Sequence, residues 1–198
     1  MLITICRLYD SYSDASRIVL VLQTACVPPP ETSIISNNSD GWYTPSRETS
    51  SHRAGGKIEG AAIGAAIGAT AATAAGLVTM LALPGVGAVV GAGWLAAILG
   101  SMAVGGVTGG LLGALTNSGI REEDAQVLVE GVRRGGTLVA ARVEPSVAPR
   151  VEMLMDRGAV NLGERCDLYR RSGWQSFDPH AVPYTADQVR SERAIHAH

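Results

Sequence analysis

The sequence predicts an α+β protein: a ferredoxin-like βαββαβ domain, split by an inserted glycine-zipper helical hairpin of two transmembrane helices. Two observations support this prediction. Residues 60–120 contain no Asp, Glu, Lys, Arg or His, so the 16 basic and 18 acidic side chains all lie in the flanking segments. Each flank, read by its apolar periodicity, shows one half-length β-α-β pattern.

The first half-domain is predicted over residues 1–36. The opening residues alternate with the period of a strand and lack the features of a signal peptide. Ser13-Asp14-Ala15-Ser16 supplies a helix start with an acidic first turn, and the helix ends before Pro28-Pro29-Pro30. Residues 31–36 predict the second strand. The polar residues 37–59 then predict a flexible linker.

The uncharged segment is predicted to be a hairpin over residues 60–116. It is long enough for two membrane spans of about 20 residues each. The turn falls at Pro84-Gly85-Val86-Gly87, with one helix near 60–83 and an antiparallel helix near 88–115. A buried hairpin of a soluble protein is less favoured, because the flanks look too small and polar to cover both helices.

Small residues recur every four positions in both predicted helices, which keeps them close to one face of each helix. Such faces allow two helix backbones to approach closely, and the larger residues such as Leu95 and Leu99 then point to lipid or to another subunit. The partner of each face is either the other helix or another copy of the chain. The predicted helix-packing residues are Gly60, Gly64, Gly68, Gly76, Gly93, Ala97, Ser101, Gly105, Gly109 and Gly113.

The second half-domain is predicted over residues 117–162. Glu122-Glu123-Asp124 form the acidic first turn of an amphipathic helix that stops at Gly135-Gly136. Residues 137–143 predict a strand, a helix follows, and residues 159–162 predict a short fourth strand. The four strands would form one sheet with helices on one face. Residues 163–198 form a C-terminal tail without sustained periodicity, whose aromatic residues favour partial docking over disorder.

Searches for chemistry predict no catalytic, cofactor-binding or metal site, and therefore no enzyme. Cys6, Cys26 and Cys166 are single, so neither a zinc ribbon nor a thioredoxin motif is present. The four histidines lie in the linker and the tail, and no pair has the spacing of a zinc protease motif. A formal net charge of −2 excludes the broad basic surface of a nucleic-acid binder.

Three stretches of the chain resemble one known family. They are residues 5–15, the glycine-zipper stretch 60–113, and Gly119-Ile120-Arg121-Glu122-Glu123-Asp124-Ala125 leading to the Arg-Gly-Gly and strand residues at 134–139. Over most of residues 1–160 the chain looks like the bacterial general stress (heat-induced stress) proteins. The resemblance implies a bacterial, stress-linked membrane or membrane-associated protein, and it implies no reaction and no catalytic residue.

Two functional hypotheses follow. In the first, the protein is a non-enzymatic, stress-associated integral protein of the bacterial cytoplasmic (inner) membrane, a homo-oligomer or an accessory subunit of a larger membrane assembly. Arg and Lys flank the open side of the hairpin, which places both termini in the cytoplasm. In the second, it is a soluble or peripheral ferredoxin-like regulatory binding module whose hydrophobic hairpin is buried in an oligomer. Extraction of membranes at high pH separates the two.

Overall fold

The computed structural model describes residues 2–25, 27, 31–44, 79–105 and 110–196. These residues form an α+β protein with seven helices and one antiparallel sheet of five strands. The strands are β1 (Ile3–Tyr9), β2 (Thr32–Asn37), β3 (Thr79–Leu83), β4 (Gly87–Ala92) and β5 (Thr137–Val143). The helices are α1 (Tyr12–Thr24), α2 (Trp94–Gly105), α3 (Gly110–Asn117), α4 (Glu122–Arg133), α5 (Ala148–Met155), α6 (Leu162–Arg171) and α7 (Ala186–His196).

The two predicted half-domains pair into one sheet. The strand order is β1-β5-β2-β4-β3, so β5 from the second half lies between the two strands of the first half. Cys6 of β1 is opposite Ala140 of β5, and Ile35 of β2 is opposite Leu138. A β-α-β unit with an antiparallel strand between its two strands is the split arrangement that the sequence predicts.

The predicted fourth strand at residues 159–162 is not formed. A single backbone hydrogen bond, in which Val160 N donates to Leu8 O at 2.8 Å, marks where it would pair with β1. The ladder stops there because Asn161 begins the next helix: its side-chain oxygen accepts hydrogen bonds from the backbone N–H groups of Gly163 and Glu164. The chain thus enters α6 before a strand can extend.

The turn at Pro84–Gly87 is where the sequence predicts it, but it joins two strands, so the prediction of helix over residues 79–83 and 88–92 is wrong. Strand β4 pairs with β2, and its neighbouring residues Val89 and Val90 are buried on opposite faces of the sheet. β-Branched residues favour such a surface. Gly85 and Gly87 have φ angles of +70° and +99°, which few other residues adopt.

Helices cover both faces of the sheet, whereas the sequence predicts them on one face. Helices α1 and α5 pack against the face that carries Ile5 and Tyr9, while α2, α3 and α4 pack against the face that carries Cys6 and Leu8. The physical reason lies in β5, whose consecutive apolar residues are buried on both sides and need two covering layers. Part of the uncharged segment supplies the second layer.

Within the described part of the chain, no helix is long and apolar enough to cross a membrane. Helix α2 has 12 residues and α3 has 8, against the roughly 20 that a span requires. Residues 60–78, which carry most of the first predicted membrane helix, and residues 45–59 of the predicted linker lie outside the described residues. The membrane prediction therefore gains no support from the helices described.

The C-terminal tail folds back onto the domain through α6, α7 and the segment between them. Tyr169 of α6 and Val189 of α7 are fully buried. The segment before α7 also covers the β3–β4 turn: a methyl group added at Gly85 would lie 2.7 Å from the carbonyl oxygen of Asp178. Gly85 and Val86, in the turn that the sequence predicts to connect two membrane helices, are buried, and the tail covers Gly85.

Candidate functional site

The described residues include two free cysteines in different environments. Cys6 is buried, and burial raises the pKa of its thiol to about 12, so the thiol stays protonated at neutral pH. Cys166 of α6 is a partly exposed free thiol, and Cys26 lies outside the described residues. The interpretation of Cys6 as a small buried hydrophobe agrees with its position in the core.

No group of three or more His, Cys, Asp or Glu side chains in the described residues could hold a metal ion. The acidic turn at the start of α4 is an ordinary helix N-terminus, since Asp124 forms an ion pair with Arg121 at 2.8 Å. The glycines at residues 85 and 87 form the β3–β4 turn under the tail. None of these features brings an acid, a base and a nucleophile together.

The predicted helix-packing residues are distributed over several environments. Gly60, Gly64, Gly68, Gly76 and Gly109 lie outside the described residues. Ala97 of α2 is exposed, and a methyl group at Gly113 of α3 would meet no atom within 4 Å. No described helix backbone lies close to these two positions, and their part in helix packing stays a prediction. Ser101 and Gly105 lie in α2, and their packing stays a prediction.

Large apolar residues of helices α2 and α3 pack against the sheet. Leu95 and Leu99 are fully buried in one core cluster with Leu111 and Leu115, so the prediction that Leu95 and Leu99 face lipid or another subunit is wrong. Gly93 lies at a junction between two elements, where the backbone requires glycine. It holds a φ of +90° between β4 and α2, where a methyl group would lie 2.1 Å from the carbonyl oxygen of Thr32.

A buried charge cluster joins α4 to the tail. The fully buried Glu130 forms ion pairs with Arg134 at 2.7 Å and with Arg133 at 3.3 Å, and the Arg134 guanidinium lies 4.2 Å from the centre of the Tyr169 ring. Burial raises the pKa of Tyr169 to about 12, against the opposing effect of Arg165 and Arg134. Every charge in this cluster has a partner, which indicates a structural role rather than a reactive one.

β1 is an edge strand, and its outer side pairs with no other strand in the described part of the structure. Alternate residues of a strand direct their N–H and C=O groups to opposite edges. Since Leu8 O accepts a bond from Val160 on the side away from β5, Thr4 and Cys6 direct their backbone groups to that same side. In the described part of the structure, the one other bond there is from the Arg7 side chain to Cys6 O.

The side chains near this edge are unusually apolar. Leu2 and Ile3 are 49% and 42% exposed, although they begin a strand whose later residues enter the core. The single charged residue of β1, Arg7, is held by Asp156 at 2.6 Å. Edge strands are usually protected by Lys, Pro or a covering element. Among the described residues none of these protects Leu2 to Thr4, whereas Ile5 and Cys6 are buried.

Comparisons with known protein families, with curated proteins and with solved structures gave no match for this chain. The resemblance to bacterial general stress proteins therefore stays a prediction. The β1 edge was not foreseen from the sequence, because the predicted fourth strand would have covered it. The signal that could have shown it is Asn161, a favoured helix-capping residue that interrupts the predicted strand.

Proposed function

We infer that this protein is a non-enzymatic interaction module that self-associates through the outer edge of β1. The observation that supports the inference is the backbone from Leu2 to Cys6, whose outer side pairs with no other strand among the described residues and which begins with the exposed aliphatic side chains of Leu2 and Ile3. An added strand gains main-chain hydrogen bonds and buries those side chains. The resemblance to bacterial general stress proteins supports a place for this protein in the bacterial stress response.

The partner that this edge fits best is a second copy of the chain. The bond from Val160 to Leu8 closes one end of the edge, so a neighbouring strand can pair with residues 2–6 alone. The centre of that stretch is Thr4. A two-fold axis through Thr4 places Thr4 opposite its copy, Leu2 opposite Cys6, and Ile3 opposite Ile5.

This pairing is favourable in detail. Opposed threonines and opposed aliphatic residues are stabilising cross-strand pairs. The Cys6 carbonyl already accepts a bond from Arg7 at 2.9 Å, and its second lone pair can accept a bond from the second copy. The two sheets of five strands then become one continuous sheet. An isologous contact of this kind produces a closed dimer rather than a filament.

The experiment compares sedimentation over a concentration series for the wild type and for Thr4→Lys. The variant places two like charges opposite each other at the two-fold axis, which destabilises the pairing. We expect a wild-type dimer and an at least tenfold weaker association in Thr4→Lys, with unchanged secondary structure by circular dichroism. The matched control is Thr24→Lys, at an exposed position near the end of α1, which should dimerise like the wild type.

A disulfide cross-linking experiment tests where the two copies of the chain contact each other. Thr4→Cys should form an intermolecular disulfide under mild oxidation, because opposed residues of paired strands lie about 5.5 Å apart at Cα, within disulfide reach. Thr24→Cys should not. A monomeric wild type at all concentrations, or equal dimerisation of Thr4→Lys and Thr24→Lys, would show that β1 is not the self-association surface.

A further inference from the structure

The segment between α6 and α7, away from the β1 edge, contains the single Asp–Pro peptide bond of the sequence, Asp178–Pro179. Asp178, Pro179 and His180 are all exposed. The bond lies in a turn in which the backbone N–H of Ala181 donates to Asp178 O at 3.2 Å. Proline is favoured at the second position of such a turn, because its φ angle is already set for it. The fold thus presents this peptide bond to water in one conformation.

The carboxylate of Asp178 is held against this same peptide bond. Its Oδ1 accepts a hydrogen bond from the backbone N–H of His180 at 2.8 Å, the local contact by which aspartate side chains stabilise turns. A side-chain oxygen reaches the N–H two residues later only when the carboxylate lies on the side of its own main-chain carbonyl carbon. The other oxygen, Oδ2, forms no hydrogen bond with a described residue. It is therefore available to attack that carbon.

Two contacts fix the carbonyl group of Asp178. One is the hydrogen bond from Ala181 N–H, which stabilises the negative charge that develops on a carbonyl oxygen when its carbon is attacked. The other is with Gly85 of the β3–β4 turn, where an added methyl group would lie 2.7 Å from Asp178 O and 2.9 Å from the Cα of Pro179. A nucleophile and a carbonyl that are both held in place react without the entropic cost of bringing them together.

We propose that Asp178–Pro179 is a self-cleavage site at which the fold accelerates attack by the Asp178 carboxylate. Oδ2 bonds to the main-chain carbonyl carbon of Asp178, and the bond from that carbon to the Pro179 nitrogen breaks as the nitrogen takes a proton from solvent. The products are a cyclic anhydride at Asp178 and a secondary amine at Pro179. Water then hydrolyses the anhydride and restores the side-chain carboxylate, as in other covalent mechanisms with a carboxylate nucleophile. The net reaction is hydrolysis of one peptide bond.

The reaction occurs once per chain and turns over no substrate, so it is compatible with a non-enzymatic module. Its consequence is that residues 179–198, which include α7, become a separate peptide. That peptide is then held by non-covalent contacts alone, among them the Tyr184 ring on Arg133 at 4.7 Å and the hydrogen bond from Arg193 to Gly135 O at 2.8 Å. Its docking changes from an intramolecular contact into a reversible association.

Intact mass spectrometry of the purified full-length protein, held at about pH 5 and 37 °C, tests the proposal. Weak acid favours the step, because the proline nitrogen takes up a proton as it leaves. Fragments 1–178 and 179–198 should accumulate at least tenfold faster in the folded protein than in the same chain unfolded in urea, which keeps the bond but loses the turn. Asp178→Asn should slow cleavage at least tenfold, whereas Asp167→Asn, at an exposed position of α6, should cleave like the wild type.

The Glu144–Pro145 bond is a matched control within the same molecule. Both of its residues are exposed, and Val147 N–H donates to Glu144 O at 3.1 Å, as Ala181 N–H does to Asp178 O. This bond should stay intact, because the longer glutamate side chain has to close a larger ring. Four results would each overturn the proposal: no cleavage at Asp178–Pro179, equal rates in the folded and unfolded chain, equal rates in the two Asp→Asn variants, or equal cleavage at Glu144–Pro145.

Discussion

Gly93 lies at the point where β4 turns into α2, directly against the backbone of β2. Its φ of +90° and the 2.1 Å approach that an added methyl group would make to Thr32 O leave no room for a side chain. Gly113 lies within α3, where a methyl group would meet nothing within 4 Å. Two glycines that share one spacing pattern in the sequence thus have opposite structural requirements.

We therefore expect Gly93→Ala to lower the free energy of unfolding by more than about 2 kcal/mol, since strain and steric overlap add. Gly113→Ala should raise it by up to about 1 kcal/mol, because alanine is the better helix former. Urea unfolding of both variants measures the difference. If Gly113→Ala is the more destabilising change, α3 packs closely against a neighbour after all, as the glycine-zipper prediction holds.

Glu130 is a fully buried carboxylate whose charge is balanced by Arg133 and Arg134. Removing one partner of a buried ion pair leaves the other charge uncompensated. Glu130→Gln should therefore cost about 3–5 kcal/mol of unfolding free energy, measured by denaturant titration. Glu152→Gln, at an exposed position of α5, should change it by less than about 0.5 kcal/mol. Similar costs for the two variants would contradict the buried pairing.

At the scale of elements, Arg193 connects α7 to the end of β2 and to the neighbouring loops. Its guanidinium donates to Gly135 O at 2.8 Å and to Asn37 O at 2.9 Å, and it also pairs with Asp40. Arg190, one turn earlier, pairs with Asp187 of its own helix and is largely exposed. Substituting each of these two arginines in turn therefore distinguishes the docking of α7 from the stability of the helix itself.

Replacement of Arg193 by Met should release α7, so that backbone amides of residues 186–196 exchange with solvent at least tenfold faster while those of β5 keep their protection. Arg190→Met should leave the exchange of α7 within a factor of about two, because exposed ion pairs within a helix contribute only a few tenths of a kcal/mol. Hydrogen exchange by mass spectrometry measures both. Equal exchange in the two variants would mean that other contacts hold α7.

The elements that the sequence predicts correctly are those with a clear pattern or clear ends. Strand β1 alternates, and α4 has acidic residues in its first turn and Arg133 in its last. Strands β3 and β4 were missed because they lie in a segment of small apolar residues, where a buried strand and a buried helix have the same composition. Helices α6 and α7 were missed because one buried residue each, Tyr169 and Val189, makes no visible apolar face.

At the scale of the whole molecule, the uncharged segment has to be interpreted differently, because its second half packs in the core. A sheet with β5 at its centre needs an apolar layer on each face, and α2 and α3 help to form the second layer. The second layer could not be predicted from the flanking segments alone, because those segments supply too little apolar surface to form it. The candidate site depends on the same assembly: among the described residues no strand pairs with the outer side of β1, because the chain enters α6 early.

Burial of neutral groups throughout this core makes the protein sensitive to alkali. Cys6 and Tyr169 have pKa values raised from 9.0 and 10.0 to about 12, in each case because burial disfavours the charged form. A raised pKa means that the unfolded chain releases its proton first. The resulting stability is fully present below about pH 9 and is lost as the pH rises towards 12, by about 1.4 kcal/mol per pH unit for each such residue.

Tyr169→Phe tests this slope at one residue, because phenylalanine keeps the ring against Arg134 and Trp174 and has no proton to release. We expect the unfolding free energies of the wild type and the variant to differ by a constant amount from pH 6 to 9. Between pH 10 and 12 the wild type should lose about 1.4 kcal/mol per pH unit more than the variant. Urea titrations at each pH measure both curves, and parallel curves up to pH 12 would show that the Tyr169 hydroxyl ionises as readily in the folded protein as in the unfolded chain.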